Sequence, residues 1–552
     1  MPIMQLVPFR DLIMPRVDDP SVGLRFEDRS WSWSEVMREA AARAQLLLET
    51  PGAGPLHVGL LLENVPEFVF WTLGAALAGG VVVGINPTRR GTELERDVAH
   101  TDCRIVVTDS THADLLVGLD LGLPADRIFN ADAAGYSEAL APHAGGEIPD
   151  VEVSREQTLL LIFTSGTSGT PKAVNCTQGK LALVSQSIAA IGELDRDTVT
   201  YASMPLFHSN ALFTAFGPTC VVGGTLVLRR RFSASNAIPD IKKYGCTYFS
   251  YVGKPLSYIL AQPERPDDAD NPLRIVFGNE GADIDIWRFS QRFAVPVIDG
   301  YGSTETGVGV SRTLDMPRGA LGIADAAVKV LDPETGAERP PASFDEHGRL
   351  TNAEEAIGEL VNTAGASMFE GYYKNDEANA QRMRDGMFWS GDLAYKDEKG
   401  FFYFAGRDYD WLRVDGENFA AAPVERILTR FSGVVLASVY AVPDADVGDQ
   451  VMAALELKDP AAFDPAAFDA FLATQADLGT KSTPRYVRVS AGLPVTRTSK
   501  VLKRRLRAQG WECDEPVFFR PESSVPLRPM TTAAATDLRR RFEARGREQL
   551  LP

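Results

Sequence analysis

Residues 159–172 read LLLIFTSGTSGTPK, and the reading of the whole chain turns on this stretch. Leu159 to Phe163 form a continuous apolar run of the length of a buried β-strand. The run delivers the chain into a loop in which Gly166 and Gly169 stand among the hydroxyls of Thr164, Ser165, Thr167, Ser168 and Thr170, and which closes on Lys172. Small residues let successive backbone N–H groups turn inward as an anion nest, hydroxyls add donors, and the lysine adds positive charge; a phosphate requires all three. Pro171 stands before Lys172 where a Walker loop needs glycine, which excludes that motif. A Ser/Gly-rich surface loop is the plain alternative for a short polar stretch.

Outward from this loop the same texture repeats. Runs 57–62 (HVGLLL), 104–109 (RIVVTD), 224–229 (GTLVLR) and 274–279 (RIVFGN) read as further buried strands between helical stretches, the pattern of α/β layers around parallel sheets. Residues 68–85 carry no charge over a length at which a membrane span becomes a candidate. Pro66 in a first turn, with Asn64 as N-cap, and the stop at Gly79-Gly80 instead predict a helix, a turn and a buried strand over Val81 to Val83. After Arg407 the pattern shifts to a smaller α+β unit, with helices over 424–431 and 463–474 and strands over 434–442 and 451–457. The expected organisation is a large domain over 1–408, a small one over 409–518, and a basic tail over 519–552 with a helix at 532–547.

The chain has 552 residues, 45% hydrophobic and 24% charged, enough to bury large cores without disulfides or structural metal. Lys and Arg number 56 against 74 Asp and Glu, a net charge of −18, which disfavours nucleic acid and anionic surfaces as partners. Cys103, Cys176, Cys220, Cys246 and Cys513 are odd in number and never spaced CxxC, so neither a disulfide framework nor zinc is expected, and a reducing cytosol fits. The N-terminus meets acidic residues before any long apolar core and does not read as a secretory signal.

Read whole, TSGTSGTPK resembles the phosphate loop of the adenylate-forming superfamily, which comprises acyl-CoA synthetases, peptide-synthetase adenylation domains and luciferases. Four further motifs follow in that family's order: YGSTETG at 301–307, SGDL at 390–393, GRDYDWLRVDGEN at 406–418 and PVTRTSK at 494–500. The resemblance implies the adenylate-forming fold, with a large α/β domain of layered sheets and helices and a small mobile α+β domain. It also implies ATP, Mg²⁺ and CoA as cofactor and co-substrates.

Roles follow position by position. Ser165, Gly166, Thr167, Ser168, Gly169 and Lys172 resemble the phosphate cradle. Tyr301, with Gly300 and Gly302 beside it, resembles the aromatic that stacks on adenine. Asp299 stands where a carbonyl or carboxylate accepts from the adenine amino group, with Gly281 and Ala282 as the opposite wall. Glu305, after Thr304 and with Thr164 nearby, is expected to hold the Mg²⁺ that bridges the phosphates, since a hard cation takes oxygen ligands. Asp392 is expected to accept the ribose hydroxyls, with Arg407 assisting. Lys500 would span the substrate carboxylate and the α-phosphate, where charge concentrates during in-line attack. Eight Lys or Arg and no acid lie between Arg485 and Arg507, for which nucleic-acid binding is the rival reading. His208, in PLFHSNAL, resembles the gate between nucleotide and acyl sites. Gly416 and Glu417 take the place of the pantetheine tunnel wall, and Asp408 and Tyr409 that of the hinge about which the small domain rotates.

Residues 229–268 and 277–293 and the stretch FRPESSVPLRPMT (519–531) are similar to the fatty-acid-transport-protein and very-long-chain acyl-CoA synthetase branch. Its members activate hydrophobic acids, long fatty acyl chains and in some cases sterol side chains. Tyr248, Tyr251, Phe249 and Phe277 are candidates to line the acyl pocket, with simple core packing as the alternative. The sequence departs from the branch at Lys254-Pro255 after YVG, and from the wider family at Ser499, where glycine is common. The implied activity is ATP-dependent ligation of a hydrophobic acid to CoA through an acyl-adenylate. An adenylate former that serves a carrier protein, and a membrane-associated fatty-acid binder, are the rival classes. Oligomerisation and peripheral membrane contact stay open.

Overall fold

The computed structural model describes residues 4–551 except 53, 165–171, 254, 261, 280, 282, 314, 315, 318, 345–351, 408–410, 415, 416, 447, 476, 477, 495–500 and 502. The chain divides into two compact units. The larger comprises Met1–Pro87, Leu94–Thr164 and Lys172–Asp408; the smaller comprises Thr88–Glu93, Ser165–Pro171 and Tyr409–Pro552.

Each of the apolar runs forms a strand, but tertiary packing sorts them into different sheets. Among the described residues, the first sheet of the larger unit has the order Ile128–Asn130, Ile105–Thr108, His57–Leu61, Val81–Gly84, Thr158–Thr164, Lys172–Thr177. All its pairings are parallel except the last. His57–Leu61, Val81–Gly84 and Ile105–Thr108 are buried along their whole length, as strands covered on both faces must be. The second sheet runs Val297–Gly300, Ile275–Asn279, Tyr248–Val252, Val199–Ala202, Thr225–Leu228, Val22–Phe26, Arg29–Ser32, parallel apart from its final hairpin. A third, antiparallel sheet has Met387–Lys396 at its centre, between Gly358–Asn362 and Phe402–Arg407. Sequence reading anticipated parallel α/β layers and did not separate this sheet from them.

The uncharged stretch 68–85 is helix Pro66–Ala78 followed by strand Val81–Gly84, and no described helix is long and apolar enough to cross a membrane. Asn64 is not its N-cap; that place belongs to Val65. The buried Asn64 amide instead donates to the carbonyls of Met204 (2.8 Å) and Arg229 (3.1 Å) and accepts from the Leu206 N–H (2.8 Å). It thereby ties the end of the first sheet's helix to the loop that leads to His208. Those backbone groups have no water to turn to, so the side chain supplies what a strand or helix ladder would otherwise supply.

The smaller unit has its own core. Strands Val434–Pro443, Asp449–Leu457, Tyr486–Ser490, Val517–Phe519 and Arg528–Pro529 form its sheet, and helices Ala421–Leu428 and Pro465–Ala473 fall close to the expected positions. The expected tail is part of this fold. Phe519 lies in the sheet, and the helix Thr532–Ala544 buries Leu538 and Phe542 in a cluster with Tyr486 and Trp511.

Replacing Asn64 by alanine strands two carbonyls and one N–H in the interior. The expected cost is about 2–3 kcal/mol of stability, read as a shift in the urea midpoint of the larger unit with an unchanged slope. A midpoint within error of the parent would contradict this account of the loop.

Candidate active site

The candidate residues of the larger unit come from the ends of strands and the loops that follow them. Thr164 ends its strand and pairs in register with Lys172, which opens the return strand; the Thr164 hydroxyl donates to the Lys172 carbonyl at 3.4 Å. The phosphate-loop residues Ser165 to Gly169 lie outside the described residues. The Lys172 side chain is buried with its ammonium 5.1 Å from the centre of the Tyr372 ring. Burial, with the charge of Arg382 adding to it, lowers the Lys172 pKa from the ordinary lysine value. An ammonium so placed gains most from an incoming anion that offsets both penalties.

Glu305 is 9% exposed. Its Oε1 accepts from the Tyr372 hydroxyl at 2.9 Å, and the same hydroxyl accepts from Arg382 Nε at 3.0 Å. Below the loop the buried Lys180 donates to the carbonyls of Thr304 (3.2 Å) and Glu305 (3.3 Å), with a pKa lowered chiefly by burial. A carboxylate of this kind, with the Thr164 hydroxyl, suits Mg²⁺, which keeps several waters and takes phosphate oxygens in place of a protein cage. Among the described residues no group of three His, Cys, Asp or Glu side chains could hold a metal ion.

Tyr301 follows strand Val297–Gly300, and its hydroxyl donates to Asp392 Oδ2 at 2.5 Å, so the expected adenine and ribose residues meet directly. Asp392 is buried and pairs in register with Arg407 across the third sheet. The residue before it, Gly391, gives its N–H to Glu359 Oε1 at 2.7 Å, and Arg384 donates to the other oxygen at 2.9 Å. Burial raises the Glu359 pKa. Neither Glu359 nor Arg384 belongs to a motif.

Asp299 turns its carboxylate into the fold. Oδ2 accepts from the Tyr251 hydroxyl (2.6 Å) and from the Gly281 N–H (2.9 Å), and Oδ1 lies 3.7 Å from Arg312 Nε. This carboxylate holds Gly281, in the segment that follows strand Ile275–Asn279. A side chain at Gly281 would meet the Tyr251 hydroxyl at 2.7 Å, so the close approach requires glycine. Ala282 lies outside the described residues.

His208 caps the short helix Ser209–Ala211, which passes into a π-helical turn, Leu212–Phe216, a local winding frequent at functional sites. Ser209 and Thr304 share a hydrogen bond between their hydroxyls at 2.7 Å, which fixes the His208 loop to the Glu305 loop. Two expected pocket residues are corrected. Tyr248 and Tyr251 have no exposed surface; their hydroxyls donate to the Thr214 carbonyl (2.7 Å) and to Asp299, so both are core residues beneath the site. Phe277 is buried on the neighbouring strand, paired with Ser250. Lys500, Gly416, Asp408 and Tyr409 lie outside the described residues, and Glu417 opens strand Glu417–Ala420 in the smaller unit.

A model of the AMP-binding enzyme family matches residues 15–373. The chain belongs to this family. It is 50% identical over 545 residues to a steroid-22-oyl-CoA synthetase of Rhodococcus jostii, covering 98% of each chain. It is 48% identical over 510 residues to the medium/long-chain-fatty-acid–CoA ligase FadD17 of Mycobacterium tuberculosis, covering 92% of this chain and 97% of that one. An o-succinylbenzoate-CoA synthetase from Bacillus subtilis, solved with a product analogue, has a TM-score of 0.75 at 23% identity, covers 92% of this chain and 99% of its own, and shares the fold. The expected family, fold class and enzyme class, an AMP-forming acid–CoA ligase, are borne out.

Asp392→Ala removes the acceptor that Tyr301 and a ribose would share, and should weaken ATP binding about ten-fold or more with little change in the KM for the acid. Tyr301→Phe keeps the ring and should cost less than Asp392→Ala. Calorimetric titration with ATP checks the order; the reverse order would remove Asp392 from the ribose.

Proposed function

We propose that the chain activates a hydrophobic carboxylic acid with MgATP, releases pyrophosphate, and transfers the acyl group from the adenylate to CoA. One observation carries the reading: the motif residues meet in the larger unit, where Tyr301 is hydrogen-bonded to Asp392, where Lys180 and Tyr372 hold the Thr304–Glu305 loop, and where Ser209 ties that loop to the His208 loop. Two relatives that are about half identical over more than nine tenths of the chain are named for a steroid-22-oyl group and for medium or long fatty acyl groups, which supports an acid with a large apolar body. We infer a steroid side-chain acid as the first substrate to test, with fatty acids second. In this reading Glu305 and Thr164 hold the cation, which neutralises charge on the phosphates. Asp392 and Tyr301 orient the nucleoside, and Lys172 and Lys500 meet the phosphates and the carboxylate under attack. Five unpaired cysteines, four of them buried, support a reducing compartment and hence the cytoplasm.

The test is AMP release in the presence of CoA across steroid side-chain acids, fatty acids of graded length, and small polar acids. Turnover confined to apolar acids is expected; preference for a small polar acid, or adenylate without thioester from every acid, would overturn the reading. Lys500→Ala should lower carboxylate-dependent pyrophosphate release by about 10²-fold or more while thioester formation from supplied acyl-adenylate changes far less. Equal loss in both half-reactions would remove Lys500 from the first step.

A further inference from the structure

Arg382 ends the helix Asp376–Arg382, from which the chain turns through Met383–Arg384 onto the central strand of the third sheet. That position sends its guanidinium back between two segments that sequence keeps apart. On one side Nε donates to the Tyr372 hydroxyl at 3.0 Å, which donates in turn to Glu305 at 2.9 Å. On the other side Nη1 donates to the Trp389 carbonyl at 3.2 Å, and the guanidinium lies against Gly391, the residue before Asp392. Gly391 has φ +74°, and any side chain there would collide with the guanidinium, so the turn that presents Asp392 is shaped around Arg382. Burial works against the charge on Arg382. The adjacent Tyr372 oxygen and the carboxylates of Glu305 and Asp392 more than offset it and hold the pKa above the ordinary arginine value.

We propose that Arg382 is a positioning residue that couples the carboxylate serving the metal-bound phosphates to the carboxylate serving the ribose, through Tyr372 on one side and the Gly391 turn on the other. The proposal rests on the assignment of Glu305 and Asp392 to those two parts of the nucleotide. Arginine suits the task because its planar fork donates in two directions at once and its charge survives burial; lysine offers a single point of charge. Tyr372 serves one branch only, since its hydroxyl reaches Glu305 while Gly391 contacts the guanidinium itself.

The two branches separate in nucleotide binding measured by calorimetry on the full chain without acid or CoA. Two quantities are read: the Mg²⁺ concentration that half-saturates ATP binding, and the preference for ATP over 2′,3′-dideoxy-ATP. Arg382→Gln should raise the first and reduce the second, each about ten-fold, as expected for loss of a charge-assisted hydrogen bond. Tyr372→Phe should raise the Mg²⁺ requirement alone. In the Glu305→Gln background Arg382→Gln should no longer alter the Mg²⁺ requirement, because both act through one carboxylate. A folded Arg382→Gln protein with both quantities unchanged, or with ATP affinity reduced and both quantities unchanged, overturns the coupling and leaves a structural arginine. Should Arg382→Gln fail to fold, Tyr372→Phe decides: a raised Mg²⁺ requirement with intact ribose preference supports the relay, and an unchanged requirement overturns it. If Glu305→Gln and Asp392→Ala themselves bind MgATP as the parent does, the nucleotide assignment fails irrespective of Arg382.

Discussion

A carboxylate that is to meet a phosphate-bound cation must stay ionised while most of its surface is withheld from water. Desolvation alone would neutralise it. In this chain the Tyr372 hydroxyl donates to Glu305 at 2.9 Å, and the positive charges of Lys172 and Arg382 lie beside Tyr372. Lys180 secures the same loop from below through its carbonyls. These partners come from two distant stretches of chain, 172–180 and 372–382, so the site forms only when the return strand Lys172–Thr177, its following helix Gln178–Ile191 and the helix Asp376–Arg382 have packed around the Glu305 loop. Lys172 and Arg382 repel one another there, and an anion relieves that repulsion.

The sheets explain where the chemistry collects. Thr164 ends a strand and Gly281 and Tyr301 follow strand ends, all at the carboxyl edge at which open α/β sheets bind ligands because chain reversals leave crevices there. The third sheet is antiparallel and contributes differently: its register sets Asp392 opposite Arg407, and Glu359 on the neighbouring strand holds the turn before Asp392. Parallel strands thus present loops at one edge, while antiparallel strands supply fixed side chains.

Much of the fold was legible. The apolar runs at 57–62, 104–109, 159–164, 224–229 and 274–279 are strands, since short continuous apolar stretches bounded by turns have few other uses. Helix, turn and strand over 66–84 were equally clear from Pro66 and the paired glycines. The failures share a cause. Asn64 looked like a cap because its place before Pro66 is a local signal, yet its amide answers carbonyls 140 and 165 residues away. Tyr248 and Tyr251 looked like pocket walls because aromatics suit both pockets and cores, and only packing tells the two apart.

By itself the sequence determined the strand and helix succession, the order of the family motifs, and hence the residue types expected to meet a nucleotide, because those signals are written in neighbouring residues. Tertiary structure alone decided which runs share a sheet and that Phe519, Leu527, Leu538 and Phe542 belong to the smaller unit's core. It also decided that Tyr372, Arg382, Lys180 and Glu359, in no recognised motif, hold the motif residues in place. Such contacts join positions tens to more than a hundred residues apart, and nothing in local spacing or periodicity records a distance across the fold.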